Sequence, residues 1–248
     1  MSDFKGGPFA IPAGRADTAV DAGLRAFMLG VYNKLALGLV LAGAFAYLVG
    51  NVPAITSLLY QAGPDGRVGM SLLGWVVMLA PIGLVLASSF TLNKPNARNQ
   101  SLFYWATVSA MGASLGWIFL AYTQMSVLST FLITAASFGA LSLVGYTTKR
   151  DLTAMGSFLY MGLFGVILAS IAQIFLHLPS LMFVINILSL FIFAGLTAYK
   201  TQWLKGIYYQ VAGSSEALGA YTSYGALSLF ITFVNLFLTI LRITGGRR

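Results

Sequence analysis

The segment that most constrains this fold is the last apolar stretch, residues 218–241, which carries no charge between Glu216 and Arg242. At about 1.5 Å per residue, a helix of this length crosses the ~30 Å hydrocarbon core of a bilayer. A small-or-polar stripe recurs along it at spacings of three and four residues, which is one helical face: Tyr221, Gly225, Ser228, Thr232, Asn235, Thr239 and Arg242. Lipid tails offer no hydrogen-bond partners to such a polar face. We therefore predict a central helix whose stripe either packs against other helices or lines a solute pathway.

The composition indicates that the whole chain is a membrane protein. Hydrophobic residues make up 58% of the 248, the mean hydropathy is +0.84, and only 8% of residues are charged, whereas a soluble domain carries about 25% charged residues. With no cysteine and a single histidine, we expect no metal site and no cofactor. The net charge of +8 is explained by basic cytoplasmic loops, so we expect the lipid bilayer and not nucleic acid as the partner.

The apolar segments predict seven transmembrane helices. Two uncharged stretches, 99–148 and 152–199, each hold two spans, and they divide near Tyr122–Ser126 and His177–Pro179. The fold class is therefore all-α: a polytopic membrane protein with the seventh helix central. We expect the sixth span to end near Gln202 and a polar loop to follow it over 203–217. The domain limits expected are a mobile cytosolic N-terminal tail (1–25), a seven-helix membrane domain (26–243) and a C-terminal tail (244–248).

The distribution of basic residues predicts a cytosolic N-terminus. With the N-terminus inside, nine basic residues lie inside and four lie outside, Arg67, Arg242, Arg247 and Arg248, as the positive-inside rule requires. Lys34, within the first span, is expected to snorkel toward the interface. The basic C-terminal tail disagrees with this topology. A seventh segment that re-enters the membrane would remove the conflict, but its length favours a full crossing.

Several short motifs, in order along the chain, resemble the Bax inhibitor-1 family of membrane proteins. They are Val20–Arg25, Met78–Pro81, Gly145-Tyr-Thr-Thr-Lys-Arg-Asp-Leu152, Met155–Leu159, Gly195-Leu-Thr-Ala-Tyr199 with Thr201-Gln202, and Phe233–Phe237. The resemblance implies a seven-helix fold in which the first six helices surround the last. It also implies a pH-sensitive calcium leak that depends on two aspartates near the cytosolic side.

At the two positions where the resemblance implies aspartates, this chain has Lys200 and Thr232. Two adjacent carboxylates offer oxygen ligands to Ca²⁺ and share a proton, which makes a pH switch. A charged lysine has no acceptor lone pair and repels a divalent cation, and threonine supplies one neutral hydroxyl. The sequence therefore predicts a family member that is locked or does not conduct Ca²⁺.

Two interpretations of Lys200 remain open from the sequence. Its ammonium could reach backbone carbonyls, Thr232 or Asn235 and fix a closed arrangement, or it could snorkel to the cytosolic interface at the end of its helix. Asp151 either stabilises the start of the fifth span as an N-cap or first-turn acid, or takes part in gating. Asn235 could donate a hydrogen bond across helices. Ser228 and Thr239 complete the polar candidates for the pathway.

Two functions of different classes follow. The first is a leak channel of the Bax inhibitor-1 type, carrying Ca²⁺ or another cation or locked against it. The second is a regulatory membrane protein that acts through helix–helix contacts with other membrane proteins. No hydrolase, nucleotide-binding or metalloprotease motif is present, so we do not expect an enzyme. Short loops in a chain of 248 residues, together with the resemblance, favour a bacterial inner membrane.

Overall fold

Over the described residues, the fold is all-α apart from one pair of short antiparallel strands. The computed structural model describes residues 13–62, 68–92 and 95–246. Within these residues it forms helices and strands with the following bounds: α1 Ala13–Asn51, α2 Pro53–Leu59, β1 Tyr60–Ala62, β2 Val68–Met70, α3 Leu72–Thr91, α4 Ala97–Ser114, α5 Trp117–Ala121, α6 Gln124–Thr147, α7 Thr153–Leu176, α8 Pro179–Val211 and α9 Ser215–Thr244. The antiparallel strands pair Tyr60 with Met70 and Gln61 with Gly69.

The seven predicted spans are confirmed. They correspond to α1 from Ala22 onward, α3, α4 with α5, α6, α7, α8 and α9, each long and apolar enough to cross a membrane. Outward-facing side chains of α7 are large and apolar: Phe158, Met161 and Phe164 are each about two-thirds exposed or more. Such a surface is unfavourable in water and is the expected one in lipid.

Local sequence sets most of the helix ends. Four helices begin after a Ser, Thr or Asn whose side chain accepts a hydrogen bond from a backbone N–H in the first turn, as N-cap residues do; these are Ser71, Asn96, Thr123 and Ser214. Pro53 and Pro179 occupy the first positions of α2 and α8, where a missing N–H has no consequence. His177 ends α7 in the left-handed conformation, with φ 48°. The short links between spans thus have turn chemistry that stops one helix and starts the next.

Helix α9 is the centre of the bundle, as predicted. Its buried residues occur on every side of the helix and include Leu229, Phe230 and Leu236, which are 1% exposed or less. The helices packed against it are α1, α4, α6 and α8, whereas α3 packs mainly on α4, and α7 packs mainly on α8. Four helices therefore form the shell around α9, and α3 and α7 form an outer layer.

The third span is interrupted after Ser114, and α5 resumes it at Trp117. Two glycines of the Gly112-xxx-Gly116 motif lie at this break, against α1. A Cβ at Gly112 would lie 2.6 Å from the Ala42 Cα, and one at Gly116 would overlap the Val49 side chain. The motif thus permits the close helix approach that such small-residue spacings allow in membranes.

The two ends of the described chain lie at opposite ends of the bundle. Asn51, at the end of α1, accepts a hydrogen bond from Gln124 at the start of α6. At the same end, the Gly246 N–H donates to Ser126 Oγ, and the Thr123 N–H donates to the Gly246 carbonyl. Helix α9 therefore crosses the bundle completely, and the re-entrant alternative for the seventh segment is wrong.

Three sequence expectations require comment. The polar loop expected over 203–217 is wrong, because α8 continues to Val211 and leaves only residues 212–214 as the link. The extension is held by tertiary packing: Leu204 and Tyr208 are buried in the bundle. Helix α1 begins at Ala13, inside the segment assigned to the N-terminal tail, whose residues 1–12 lie outside the described residues. The sequence Gly63-Pro-Asp-Gly66 predicts a turn in the loop after the first span, and it too lies outside the described residues.

Candidate functional site

Lys200 lies on the face of α8 that packs against α9. Its Nζ donates a hydrogen bond of 2.9 Å to Thr232 Oγ1 and a longer one, 3.3 Å, to the Ser228 carbonyl. Thr232 is 1% exposed, and its hydroxyl donates to the same Ser228 carbonyl at 2.9 Å. The two positions singled out by the sequence are therefore in direct contact, through one ammonium and one hydroxyl.

The position of Lys200 along α8 does not match the expectation of a helix end. Helix α8 continues to Val211, eleven residues beyond Lys200, so the dipole at the helix C-terminus lies far from its ammonium. The side chain points into the contact between α8 and α9 and finds its acceptors there. The snorkelling interpretation was based on a helix that ends near Gln202, and the observed geometry does not provide that end.

Close contacts of α6 and α7 with α8 fix the segment around Lys200. A Cβ at Gly145 of α6 would lie 2.8 Å from the Ala198 Cα on α8, so only a glycine allows this approach. On α7, Gly156 packs flat against the Tyr199 ring. Two of the motifs that carry the family resemblance thus supply close contacts that hold α6 and α7 against α8 next to Lys200.

A small cavity of about 80 Å³ lies beside the ammonium, lined by Tyr160, Tyr199, Trp203 and Tyr224 together with Lys200 and Ser228. The rings meet edge-on in two pairs, Tyr160 with Tyr199 and Trp203 with Tyr224. A space of this size with polar edges can hold a few water molecules. It is too small for a larger solute.

The remaining polar residues of the α9 stripe do not contact Lys200. The Asn235 side-chain amide donates to the Ile231 carbonyl at 2.8 Å, and the Thr239 hydroxyl donates to the Asn235 carbonyl at 2.8 Å. Both bonds lie within α9, so the Nδ2 of Asn235 does not make the bond across helices that the sequence suggested. Ser228 contributes its backbone carbonyl to the site and is one of the residues that line the small cavity.

Asp151 lies outside the bundle, just before α7. Its Oδ1 accepts hydrogen bonds from the Thr153 N–H at 2.8 Å and the Thr153 hydroxyl at 2.6 Å. These bonds stabilise the carboxylate and lower the pKa of Asp151 from its usual value. The N-cap position itself belongs to Leu152, which has no side-chain cap. Asp151 is therefore neither the N-cap nor a first-turn acid of α7, and that expectation is wrong; its carboxylate instead bonds Thr153 from the residue before the N-cap.

The sequence reasoning missed a second lysine inside the bundle. Lys34 of α1 donates to Ser223 Oγ of α9 at 2.6 Å and to Ser101 Oγ of α4 at 3.2 Å. The expectation was that Lys34 snorkels toward the interface, but Val31, three residues earlier on the same face of α1, is fully buried, so this face points into the bundle. Lysines from two different helices thus donate to α9, at Ser223 and at Thr232.

The chemistry of these sites is one of ammonium groups and neutral oxygens. Over the described ranges, no group of three or more His, Cys, Asp or Glu side chains could hold a metal ion. The acceptors around Lys200 are a hydroxyl and a carbonyl, which accept two hydrogen bonds from the ammonium. The arrangement can hold two helices together, and it places an ammonium at the contact between α8 and α9.

Similarity to known proteins extends over nearly the whole length of this chain. The sequence profile of the family described as inhibitor of apoptosis-promoting Bax1 matches residues 24–248. An uncharacterised protein of Caulobacter vibrioides is 51% identical over all of both chains. The inner membrane protein YbhL of Escherichia coli K12 is 38% identical, covering 94% of this chain and 98% of YbhL. An uncharacterised membrane protein of Streptococcus pyogenes is 31% identical over 92% of this chain and 96% of its own.

Proposed function

We propose that this chain, which belongs to the Bax inhibitor-1 family of integral membrane proteins, is a leak-channel-type member held closed to Ca²⁺ by Lys200. The observation that carries the proposal is the 2.9 Å bond from Lys200 Nζ to Thr232 Oγ1, joined by the contact with the Ser228 carbonyl. The family resemblance implies a carboxylate at each of these two positions. Here an ammonium and a hydroxyl occupy these positions, and the ammonium donates a hydrogen bond to the hydroxyl.

The charge of Lys200 acts against divalent cations in two ways. It occupies the Ser228 carbonyl and the Thr232 hydroxyl, which are the oxygens that a cation in this place would need. It also repels a cation that approaches along α9, and repulsion in a protein interior is far stronger than in water. No proton-sharing carboxylate pair exists at these positions, so this site has no carboxylate-based response to pH between about pH 6 and pH 8.

The same proposal places the protein in a bacterial inner membrane with the N-terminus in the cytosol. Basic residues at the α1-start end of the bundle include Arg98 in the first turn of α4 and Lys149 and Arg150 between α6 and α7. Because the chain has no cysteine, single cysteines report the topology directly. A Ser214→Cys variant should react with a membrane-impermeant maleimide only after cells are opened, and His177→Cys should react in intact spheroplasts; the reverse pattern would overturn the orientation.

The experiment that tests the closed site is calcium entry into proteoliposomes, followed with a trapped dye at about pH 6 and about pH 8, on either side of the range where a carboxylate pair with raised pKa titrates. The unaltered chain is compared with the Lys200→Asp, Thr232→Asp double variant. We expect the unaltered chain to be silent. We expect the double variant to leak Ca²⁺, with a rate that changes between the two pH values.

A matched control tests whether the effect depends on where the negative charges are introduced or only on the change in net charge. The Arg98→Asp, Asn99→Asp double variant makes the same change in net charge at two exposed residues in the first turn of α4. This pair should leave calcium entry at the level of protein-free vesicles. If the variant at Lys200 and Thr232 is as silent as the control, the idea of a lysine-held site is wrong, and a regulatory role through membrane-protein contacts becomes the better description.

A further inference from the structure

A cleft of about 450 Å³ lies at one end of the bundle, outside the site at Lys200, between the α6–α7 link and the last turns of α8. Its charged lining consists of Lys149, Arg150 and Lys205 against a single carboxylate, Asp151. Asp151 already accepts two hydrogen bonds from Thr153. The cleft therefore has a surplus of positive charge, a setting that attracts an anion.

The backbone that carries these cations is held in place by a side chain of α8. Gln202 accepts a hydrogen bond from the Leu152 N–H at 2.8 Å and donates one to the Arg150 carbonyl at 2.7 Å. Lys205 donates to the Tyr146 carbonyl at 2.6 Å, and its ammonium lies 4.8 Å from the centre of the Tyr146 ring. The backbone of the loop is thus fixed while the side chains of Lys149 and Arg150 stay exposed, so a ligand has to order these side chains but not the loop backbone.

The surroundings of the cleft indicate which anion it suits. Tyr199 and Trp203 line it, and such aromatic residues lie at the headgroup level of membrane proteins. Below it, α7 presents Phe158 and Met161 to the lipid, each about 70% exposed. A phospholipid whose phosphate lies in the cleft would therefore place its acyl chains against this apolar surface. Basic pockets between transmembrane helices at the membrane surface are known binding places for phospholipid headgroups.

We propose that this cleft binds the phosphate headgroup of an anionic phospholipid, with the acyl chains lying along α7. The phosphate is held by Lys149, Arg150 and the free N–H groups of Lys205. Asp151 opposes it by like charge. The site does not depend on whether Lys200 closes a channel, so its test is a binding measurement and not a flux.

The test counts phosphatidylglycerol bound to the full-length protein in detergent by native mass spectrometry, with phosphatidylcholine of the same chains as reference. The Lys149→Gln, Arg150→Gln double variant should bind phosphatidylglycerol about 30-fold more weakly, since each basic residue near the headgroups contributes about 1 kcal/mol. Asp151→Asn should bind it about 5-fold more tightly for the same reason. Loss of folding cannot produce this gain.

The Arg25→Gln, Arg98→Gln variant is the matched control, because it removes two exposed basic charges from the same end of the bundle and none from the cleft. It should bind phosphatidylglycerol within about 3-fold of the unaltered chain, as changes away from a site usually do. Equal weakening by the control and by the Lys149, Arg150 pair would overturn the proposal. Displacement of the lipid by low-millimolar inorganic phosphate would overturn the lipid assignment and identify a soluble phosphate as the ligand.

Discussion

Replacing Thr232 by Val tests the single side-chain hydrogen bond between Lys200 and α9. The change keeps the shape of the side chain and removes the hydroxyl that accepts from Lys200 Nζ at 2.9 Å. It also removes the bond from that hydroxyl to the Ser228 carbonyl. The first bond joins two helices and the second lies within α9, so the two losses have to be measured separately.

Thr239→Val provides the correction for the loss within the helix. Thr239 lies on the same helix, is 3% exposed, and donates only to the carbonyl four residues earlier, at 2.8 Å. The difference between the two valine variants is thus the value of the bond to Lys200. Neutral hydrogen bonds between membrane helices contribute about 0.6 kcal/mol on average, and a charged donor roughly doubles this. We expect Thr232→Val to lower the free energy of unfolding by about 1 kcal/mol more than Thr239→Val.

A double-mutant cycle with Lys200→Met completes the assay, with unfolding followed by helical content during titration from mild detergent into a denaturing one. Without the ammonium, Thr232→Val should lose no more than Thr239→Val does, which gives a coupling free energy of about 1 kcal/mol, above the ~0.5 kcal/mol expected of independent sites. If both valine variants lose the same stability and the coupling is zero, Lys200 and Thr232 do not interact and the reasoning is refuted.

Two further predictions concern the surroundings of the site. Gly145→Ala should destabilise the fold by about 1–3 kcal/mol, because its Cβ meets the Ala198 backbone. Gly139→Ala on the same helix, where a Cβ meets nothing within 4 Å, should be neutral or stabilising by less than about 1 kcal/mol. Thermal unfolding in detergent compares the two variants, and equal losses of stability would contradict the close contact at Gly145. The pKa of Asp151 is lowered by its bonds to Thr153, so the stability it contributes is present at neutral pH and is lost as the pH falls below the usual carboxyl range through that lowered pKa. Thr153→Val should raise this pKa toward its usual value in an NMR titration, and an unchanged pKa would contradict the assignment.

The fold could be predicted from the sequence to a large extent, because hydrophobicity and length decide which segments cross a membrane. The polar stripe on α9 further indicated that this helix is central. The extension of α8 to Val211 could not be predicted, since Leu204 and Tyr208 are held by the helices they contact and not by a local signal. The hairpin at Tyr60–Met70 is likewise too short to leave a pattern in the sequence.

The candidate site could be predicted only in part from the sequence. Lys200 and Thr232 were found because they depart from a family pattern, but their mutual hydrogen bond depends on how α8 and α9 are rotated against each other. Lys34 was assigned to the interface, because a lone lysine near a span end usually snorkels. Its bonds to Ser101 and Ser223 arise from the meeting of three helices that are far apart in the chain.

The measurement that tests the central claim most directly is calcium entry through the unaltered chain. Proteoliposomes holding it are compared with protein-free vesicles at about pH 6 and at about pH 8, the range in which a carboxylate pair with raised pKa would titrate. The ammonium of Lys200 at the α8–α9 contact predicts no calcium entry above the vesicle background at either pH. Calcium entry through the unaltered chain that changes between the two pH values would contradict the account, because conduction and pH response would then need neither aspartate.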